Sequence, residues 1–230
     1  MSCPRCNSGA YMLKGGGRAK CRNCGKTYNA PDTAARQARE AAHFTADVPP
    51  SDLPSYEDLL ERWPQWRERV VFGAFVYASR EGLAEYLAYR QEVETLVARI
   101  NGRWGTDTWT PILLDTGDDF PASVAALRLY DVLLVNPIRD GLNLVATEGC
   151  LVNENDGVLL LSPEAGAFER LGDAVVRVNP FDVASTAEAL HEALSLAPPA
   201  RAAHAARLRA LAEARSPSDW LREQRAAAEA

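Results

Sequence analysis

The chain has 230 residues, of which 47% are hydrophobic and 24% are charged, a balance typical of folded globular proteins that excludes wholesale disorder. No run of about 18 apolar residues occurs, so the sequence offers no membrane-spanning helix. The first 30 residues lack the basic-then-apolar pattern of a secretory signal, and we therefore expect a cytoplasmic protein.

Charge is distributed unevenly along the chain. Residues 1–30 contain six cations and no acidic residue, whereas the whole chain has a formal net charge of −6, which leaves −12 for the remainder. This asymmetry predicts two units that bind different partners. Lys26 is the last lysine, and only arginine supplies permanent positive charge after it.

The first predicted unit is a zinc ribbon at residues 1–30. Two Cys-x-x-Cys pairs, separated by fourteen residues, are typical of a tetrahedral zinc site. Strands are expected near 11–13 and 26–28, with a glycine loop at 15–17. Because so short a segment cannot bury a self-sufficient core, zinc would supply the folding free energy. The alternative is a pair of disulfides in a secreted protein. The predicted zinc ligands are Cys3, Cys6, Cys21 and Cys24.

The role of this ribbon is open between two alternatives. Its six cations could contact the phosphates of a nucleic acid. However, only Tyr11 and Tyr28 are available to stack on bases, and zinc ribbons also dock proteins or serve a purely structural role.

Residues 31–54 are predicted to be a linker. A short helix at 34–42 and one short strand at 43–46 fit the local pattern, and the prolines at 49, 50 and 54 interrupt regular structure. The predicted domains are therefore 1–30, 31–54 and 55–230.

From residue 55 onward, helical and strand patterns alternate, which predicts an α/β fold: a Rossmann-like parallel sheet with helices on both faces. The continuous apolar runs at 70–77 and 131–135 are typical of strands buried on both faces. Such sheets bind ligands at the carboxyl ends of their strands. Further strands are predicted at 111–115, 157–162 and 174–178, and helices at 56–63, 81–100, 122–129, 143–151, from 164, at 183–196 and twice after 199.

Two kinds of reactive side chain receive no role. Cys150 lies in an apolar stretch and is expected to be a buried, inert thiol. His191 and His204 are isolated on predicted helices.

The segment 136–148 is the best candidate for a ligand site. It leaves a predicted buried strand and enters a helix, where Gly141 lets the backbone approach a ligand. Free amides at 142–144 would form the positive end of the helix, which suits a diphosphate. Asp140 could bind a sugar and Glu148 a ribose, so the spacing fits a nucleotide-sugar. The alternative is a plain strand-to-helix turn that Asp140 caps.

This segment resembles the donor site of the trehalose-6-phosphate synthase family, retaining glycosyltransferases with two Rossmann-like domains. The similarity rests on 131–135 followed by Arg139-Asp140-Gly141-Leu142-Asn143-Leu144-Val145 and Glu148. Further matches in the family's order are 63–67, 79–80, 97–102, 157–162 with 165–167, and 178–182. The chain would thus contain one half of a GT-B glycosyltransferase.

The resemblance implies a role for each matching position. Asp140 would be the catalytic residue that contacts the donor glucose, the backbone at 142–144 would hold the diphosphate, and Glu148 would bind ribose. Leu142 stands where the family usually has methionine. Arg80 lies in the family's Pro-Ser-Arg segment, although the proline is Ala78 here. The implied donor-binding residues are Arg80, Arg139, Gly141, Leu142, Asn143, Leu144, Val145 and Glu148.

The chain departs from the family in two ways. The family's amino-terminal domain, which binds glucose-6-phosphate, has no counterpart, and residues 43–48 contain no cation where the family has Arg-Leu-Asp-x-x-Lys-Gly. Because neutralising the departing diphosphate is commonly the largest catalytic contribution, turnover by this chain alone is not expected.

Three hypotheses follow. The chain is a donor-binding half that binds UDP- or GDP-glucose in trehalose biosynthesis and needs a separate acceptor-half polypeptide. Alternatively, it is a non-catalytic binding or regulatory module on a degenerate glycosyltransferase scaffold, or a folded remnant without chemistry.

Overall fold

The structure is a computed structural model that describes residues 51–76 and 84–229, together with the backbone of residues 11–14, 18–21 and 27–29. Contacts divide the chain into two compact units, residues 1–49 with 78–92 and residues 50–77 with 93–230. None of the described helices combines the length and the hydrophobicity that crossing a bilayer requires.

The first unit contains a three-stranded antiparallel sheet, with strands β1 (Tyr11–Lys14), β2 (Arg18–Cys21) and β3 (Thr27–Asn29). β2 is central and pairs with both neighbours. The strands expected near 11–13 and 26–28 are confirmed, and β2 was not predicted. Three of the four predicted zinc ligands, as well as residues 31–50, lie outside the described residues, so the zinc site remains a prediction.

The second unit alternates strands and helices, which confirms the α/β fold class. Its strands are β4 (Phe72–Phe75), β5 (Ile112–Asp115), β6 (Val132–Val135), β7 (Val158–Leu161) and β8 (Val176–Arg177). The helices of the described part are α1 (Asp52–Arg62), α2 (Ala84–Trp104, which begins in the first unit), α3 (Phe120–Leu129), α4 (Leu144–Val152), α5 (Phe168–Leu171), α6 (Val183–Ser195), α7 (Pro198–Glu213) and α8 (Pro217–Glu229).

The described strands of this unit form two parallel sheets rather than the single sheet expected. β4 pairs with β5, and β6, β7 and β8 pair in that order. All pairings are parallel. Parallel neighbours require a crossover, and the helices between the strands provide these connections.

Two strands are less buried than their apolar runs predict. All four residues of β7 are buried, but β6 is only partly buried and β4 has one buried residue. Val71, Phe75 and Val76 are each nearly half exposed. The prediction of full burial was therefore wrong for residues 131–135 and for the described part, 70–76, of the run at 70–77. Among the described strands, β4 and β6 each have a hydrogen-bonded neighbour on one side only.

Helix α1 begins four residues before its predicted start. Pro54 lies in the first turn of the helix, where a proline loses no intrahelical hydrogen bond because these amides have no acceptor there. Proline was therefore misleading as a signal that ends regular structure. The buried residues of α1 recur at helical spacing and include Leu53, Tyr56, Leu59 and Leu60.

Aromatic stacking joins the end of α1 to α6. The rings of Trp63 and His191 stack with centroids 4.3 Å apart, and the Trp66 indole N–H donates to His191 Nδ1 at 2.9 Å. His191, to which the sequence assigned no role, is thus a structural contact. Because an indole N–H can only donate, His191 Nδ1 acts as an acceptor here.

A buried carboxylate joins α1 to the carboxyl-terminal part of α2. Glu57 is 8% exposed and forms ion pairs with Arg99 at 2.6 Å and Arg103 at 3.0 Å. Burial alone would raise the pKa of Glu57, but the hydrogen bonds from the two guanidinium groups outweigh it, and the pKa lies below its usual range.

The core around β7 is closed by α4, α5 and α7. Cys150 belongs to this cluster, with Leu159, Leu161, Leu171 and Leu208. Its thiol donates to the Ala146 carbonyl at 2.9 Å, and burial raises its pKa to about 11. The prediction of a buried thiol is confirmed, and the raised pKa disfavours the reactive thiolate.

Candidate donor site at the carboxyl ends of β6 and β7

The candidate site is built by two turns that follow neighbouring parallel strands. The first, residues 136–143, leaves β6, and the second, residues 162–167, leaves β7. The Asp140 N–H donates to the Glu164 carbonyl at 3.1 Å, and the Gly166 N–H donates to the Asp140 carbonyl at 2.8 Å. The two turns therefore form a short parallel bridge at the sheet edge where ligands of such folds bind.

Asp140 also caps its own turn, just before α4, with its side chain. Its Oδ1 accepts hydrogen bonds from the amides of Leu142 and Asn143, each at 3.2 Å, and its Oδ2 accepts one from Asn143 Nδ2 at 3.1 Å. These two amides were expected to be free. The structure instead matches the alternative of a strand-to-helix turn that Asp140 caps locally, because its carboxylate accepts hydrogen bonds from both amides that precede the helix.

Asn143 is the N-cap residue of α4 and has a left-handed backbone conformation with φ of 48°. Its side chain accepts from the Ala146 amide at 3.1 Å. Asparagine tolerates this conformation better than most residues. The amides of Leu144 and Val145 follow directly and, as the first two of the helix, have no intrahelical acceptor.

One face of α4 is open to solvent beside these amides. Leu144 is 62% and Val145 47% exposed, and Glu148, one turn further on, is also exposed. Residues three and four apart lie on the same side of a helix. Leu142 is 72% exposed. Glu148, the predicted ribose-binding residue, therefore lies on the same solvent-exposed side of α4 as Leu144 and Val145, whose amides begin the helix.

A cavity of about 320 Å³ lies beside the turn, near the lower limit for small-molecule sites. Arg139, Asp140 and Gly141 line it, as expected, and nothing lies within 4 Å of the position a Gly141 side chain would occupy. The sequence did not indicate the opposite wall, which follows β7. The residues of that wall are Pro163, Glu164, Ala165, Gly166, Phe168 and Glu169.

The predicted site residues are thus distributed as follows. The structure brings together Asp140 with the backbone of 141–145, and places Arg139 on the cavity and Glu148 on the open face of α4. Arg80 lies outside the described residues, and its contribution remains a prediction.

A second carboxyl group lies at the base of the turn. Asp52, at the start of α1, accepts a hydrogen bond from Asn136 Nδ2 at 3.0 Å. Burial raises the pKa of Asp52 to about 6, and the bonds from Asn136 and Ser51 only partly oppose it. The Asn136 Oδ1 atom is buried without a hydrogen-bond partner among the described residues. No sequence pattern indicated this long-range pair.

Comparison with curated proteins finds trehalose-6-phosphate synthases among the relatives. The chain is 42% identical over 147 residues to a bifunctional trehalose-6-phosphate synthase/phosphatase of Thermoproteus tenax, covering 63% of this chain and 20% of that protein. It is 39% identical over 150 residues to the trehalose-6-phosphate synthase of Citrobacter koseri, covering 64% and 32%. The chain thus matches only a fifth to a third of the length of these relatives.

Solved structures give the same result. An α,α-trehalose-phosphate synthase (UDP-forming) from Burkholderia vietnamiensis superposes with a TM-score of 0.72 at 30% identity, covering 85% of this chain and 47% of that one. The trehalose-6-phosphate synthase of E. coli bound with UDP-2-fluoro glucose gives 0.68 at 27% identity, covering 88% and 52%. Glycosyltransferase family 20 matches residues 47–230. The chain therefore belongs to glycosyltransferase family 20.

Proposed function

We propose that this chain binds UDP- or GDP-glucose and acts as the donor half of a trehalose-6-phosphate synthase-type glycosyltransferase. The observation that carries the proposal is the turn 136–143. It presents Asp140, the amino end of α4 and Glu148 on one open edge of the parallel sheet. A relative with this fold binds UDP-2-fluoro glucose.

In this proposal, the diphosphate lies over the amino end of α4. The Leu144 and Val145 amides donate to its oxygens, and the Leu142 and Asn143 amides become available when the Asp140 carboxylate turns away. Backbone amides at a helix end favour an anion through both their hydrogen bonds and the helix dipole. Arg139, exposed on the cavity, supplies a positive charge nearby.

Asp140 then exchanges its amide partners for a hydroxyl of the glucose, and the Glu148 carboxylate accepts hydrogen bonds from the ribose. In both contacts a carboxylate oxygen accepts a hydrogen bond from a sugar hydroxyl, because an ionised carboxylate can only accept. Asp140 would therefore link sugar binding to release of the helix end.

Turnover would require a second polypeptide. Residues 43–48 contain no cation to neutralise the departing diphosphate, so the proposal assigns those charges to a partner. An acceptor-half polypeptide would supply the acceptor sugar phosphate and those charges.

A second candidate is a non-catalytic module in which the zinc ribbon binds a protein or nucleic acid and the family 20 part is a scaffold. The hydrogen bonds that Asp140 accepts within its turn favour this alternative, because capping alone would account for an aspartate at this position without any ligand.

Calorimetric titration distinguishes the two. The donor proposal predicts heat of binding with UDP-glucose or GDP-glucose at up to millimolar concentration, and a smaller affinity in Glu148→Ala. Exposed Glu154, which pairs with Arg128 away from the site, provides the control variant Glu154→Ala. No heat from either nucleotide-sugar would favour the scaffold.

A further inference from the structure

The turn 162–167 holds the candidate donor site through backbone contacts alone. The carbonyl of Glu164 and the amide of Gly166 bond to the amide and carbonyl of Asp140. No side chain of this turn is needed for either bond, so the turn acts as a template for the backbone at 140–142.

Gly166 makes this close approach possible. A Cβ atom at this position would lie 2.0 Å from the Gly141 carbonyl oxygen, 2.6 Å from the Gly141 carbonyl carbon and 3.2 Å from the Leu142 nitrogen. All three contacts are with backbone, so no change of side-chain rotamer can relieve them. The Leu142 nitrogen is one of the amides that Asp140 caps.

The turn is itself held from within. Ser162 is fully buried, its Oγ accepts from the Glu164 amide at 3.1 Å, and its carbonyl accepts from the Ala165 amide at 3.1 Å. The Phe168 amide then donates to the Ala165 carbonyl at 2.8 Å. A displacement caused at Gly166 is therefore passed to residues 140–142 rather than absorbed by the turn.

We propose that Gly166 is a positioning residue of the donor site: its lack of a side chain fixes the Gly141–Leu142 peptide where a donor diphosphate binds. This inference rests on the proposed function. Gly166 lies in the wall of the cavity, and the role proposed for it acts through the backbone of Asp140, Gly141 and Leu142.

The test is Gly166→Ala in the full chain, titrated with UDP-glucose, UDP and UMP. We expect affinity for UDP-glucose and UDP to fall at least tenfold, because both place a diphosphate on the displaced peptide. UMP lacks the second phosphate and depends more on Glu148, so its affinity should change less than threefold. A merely structural defect would lower all three affinities in the same proportion.

Gly157→Ala is the matched steric control. A Cβ there would lie 2.1 Å from Tyr130 Cε2 and 2.8 Å from the Tyr130 carbonyl oxygen, but at the amino end of β7, away from the site. This variant should lower the melting temperature and leave the ratio of the three affinities unchanged.

Ser162→Ala provides a milder perturbation if Gly166→Ala does not fold. It removes the bond to the Glu164 amide, and we expect a two- to fivefold loss for UDP-glucose and faster hydrogen exchange of the Asp140 amide. Suppose that the wild type binds and that both variants either keep its affinities or lose affinity for all three ligands equally. Either result would overturn the positioning role alone. Absence of binding in the wild type would instead refute the donor proposal.

Discussion

At the scale of single residues, Asp140 has one observed and one proposed contact. In the structure its carboxylate accepts hydrogen bonds from the amides of Leu142 and Asn143, whereas the family resemblance implies a contact to the donor glucose. The sequence predicted where this residue lies, because the strand, turn and helix patterns all point to the same segment. It left the contact of the Asp140 side chain open between a ligand and a local cap, since that choice depends on a side-chain rotamer that the sequence pattern does not determine.

Asp140→Ala should separate these roles. Removing the carboxylate frees two amides and eliminates a negative charge that repels the diphosphate. UDP should therefore bind at least as tightly as to the wild type. The advantage of UDP-glucose over UDP should fall, since the contact to glucose is lost. Calorimetry with both ligands measures the ratio. Asp119→Ala, which removes the cap of α3 away from the site, is the control, and an unchanged ratio in Asp140→Ala would contradict a contact to the sugar.

Asp52 predicts a pH dependence of stability. Its pKa is raised to about 6 in the folded protein, so between about pH 4 and 6 the unfolded chain releases this proton first, and rising pH favours unfolding. Asp52→Asn removes this effect. We expect the variant to be more stable by about 1–2 kcal/mol at pH 8 and equally stable below pH 4. Urea unfolding at both pH values is the measurement, and an equal gain at both would refute the shift.

At the scale of elements, side-chain amides replace missing strand partners. Asn101 of α2 donates to the Ile112 carbonyl at 3.0 Å and accepts from the Ile112 amide at 2.9 Å, which satisfies the first residue of β5. Asn153 similarly donates to the Tyr130 carbonyl at 2.9 Å and accepts from the Gly157 amide at 2.7 Å. The elements themselves were predictable from their periodicity, but these connections join residues distant in sequence and require the packed fold.

Asn101→Ala should destabilise the protein by about 2–4 kcal/mol, because it leaves both backbone groups of buried Ile112 without partners. The loss should appear in the urea midpoint at neutral pH. Gly102→Ala is the neighbouring control: nothing lies within 4 Å of its added methyl group, and alanine is the better helix former by about 0.8–1 kcal/mol. If Asn101→Ala instead destabilises the protein no more than an ordinary surface substitution does, water must form hydrogen bonds with the Ile112 amide and carbonyl.

The amino-terminal strands carry a separate prediction. We propose one zinc ion per chain, bound by Cys3, Cys6, Cys21 and Cys24. Elemental analysis of the purified protein should give a ratio near one, and Cys3→Ser should lower it sharply because a tetrahedral thiolate site loses a ligand. Cys150→Ser is the control, since the Cys150 thiol is buried elsewhere. A zinc-free protein with disulfides would support the alternative.

At the scale of the whole molecule, the sequence identified the fold class and the family through local patterns, and the comparisons bear both out. It misjudged how the strands of the second unit assemble. Burial of a strand depends on what pairs with its two edges, and the apolar runs of β4 and β6 do not report this. The sequence also missed the cavity residues that follow β7. They lie beside the turn after β6 because β6 and β7 are paired neighbours in the sheet, and the sequence pattern does not show this pairing.

For the whole chain we expect no turnover in isolation. With UDP-glucose and glucose-6-phosphate, UDP release should stay at background, because residues 43–48 contain no cation to neutralise the departing diphosphate. A coupled assay for UDP measures this. Addition of the amino-terminal half of the Citrobacter koseri relative is the complementation arm, and turnover without it would contradict the need for a second polypeptide.

The Asp140 cap has a consequence for simple anions. A carboxylate attached to the same turn competes at an effective concentration of roughly millimolar or more, so inorganic phosphate or sulfate gains little by displacing it from the Leu142 and Asn143 amides. A ligand that also offers hydroxyl groups to the displaced carboxylate does gain, because Asp140 then keeps a partner. We therefore propose that this turn favours diphosphates that carry a sugar over inorganic anions.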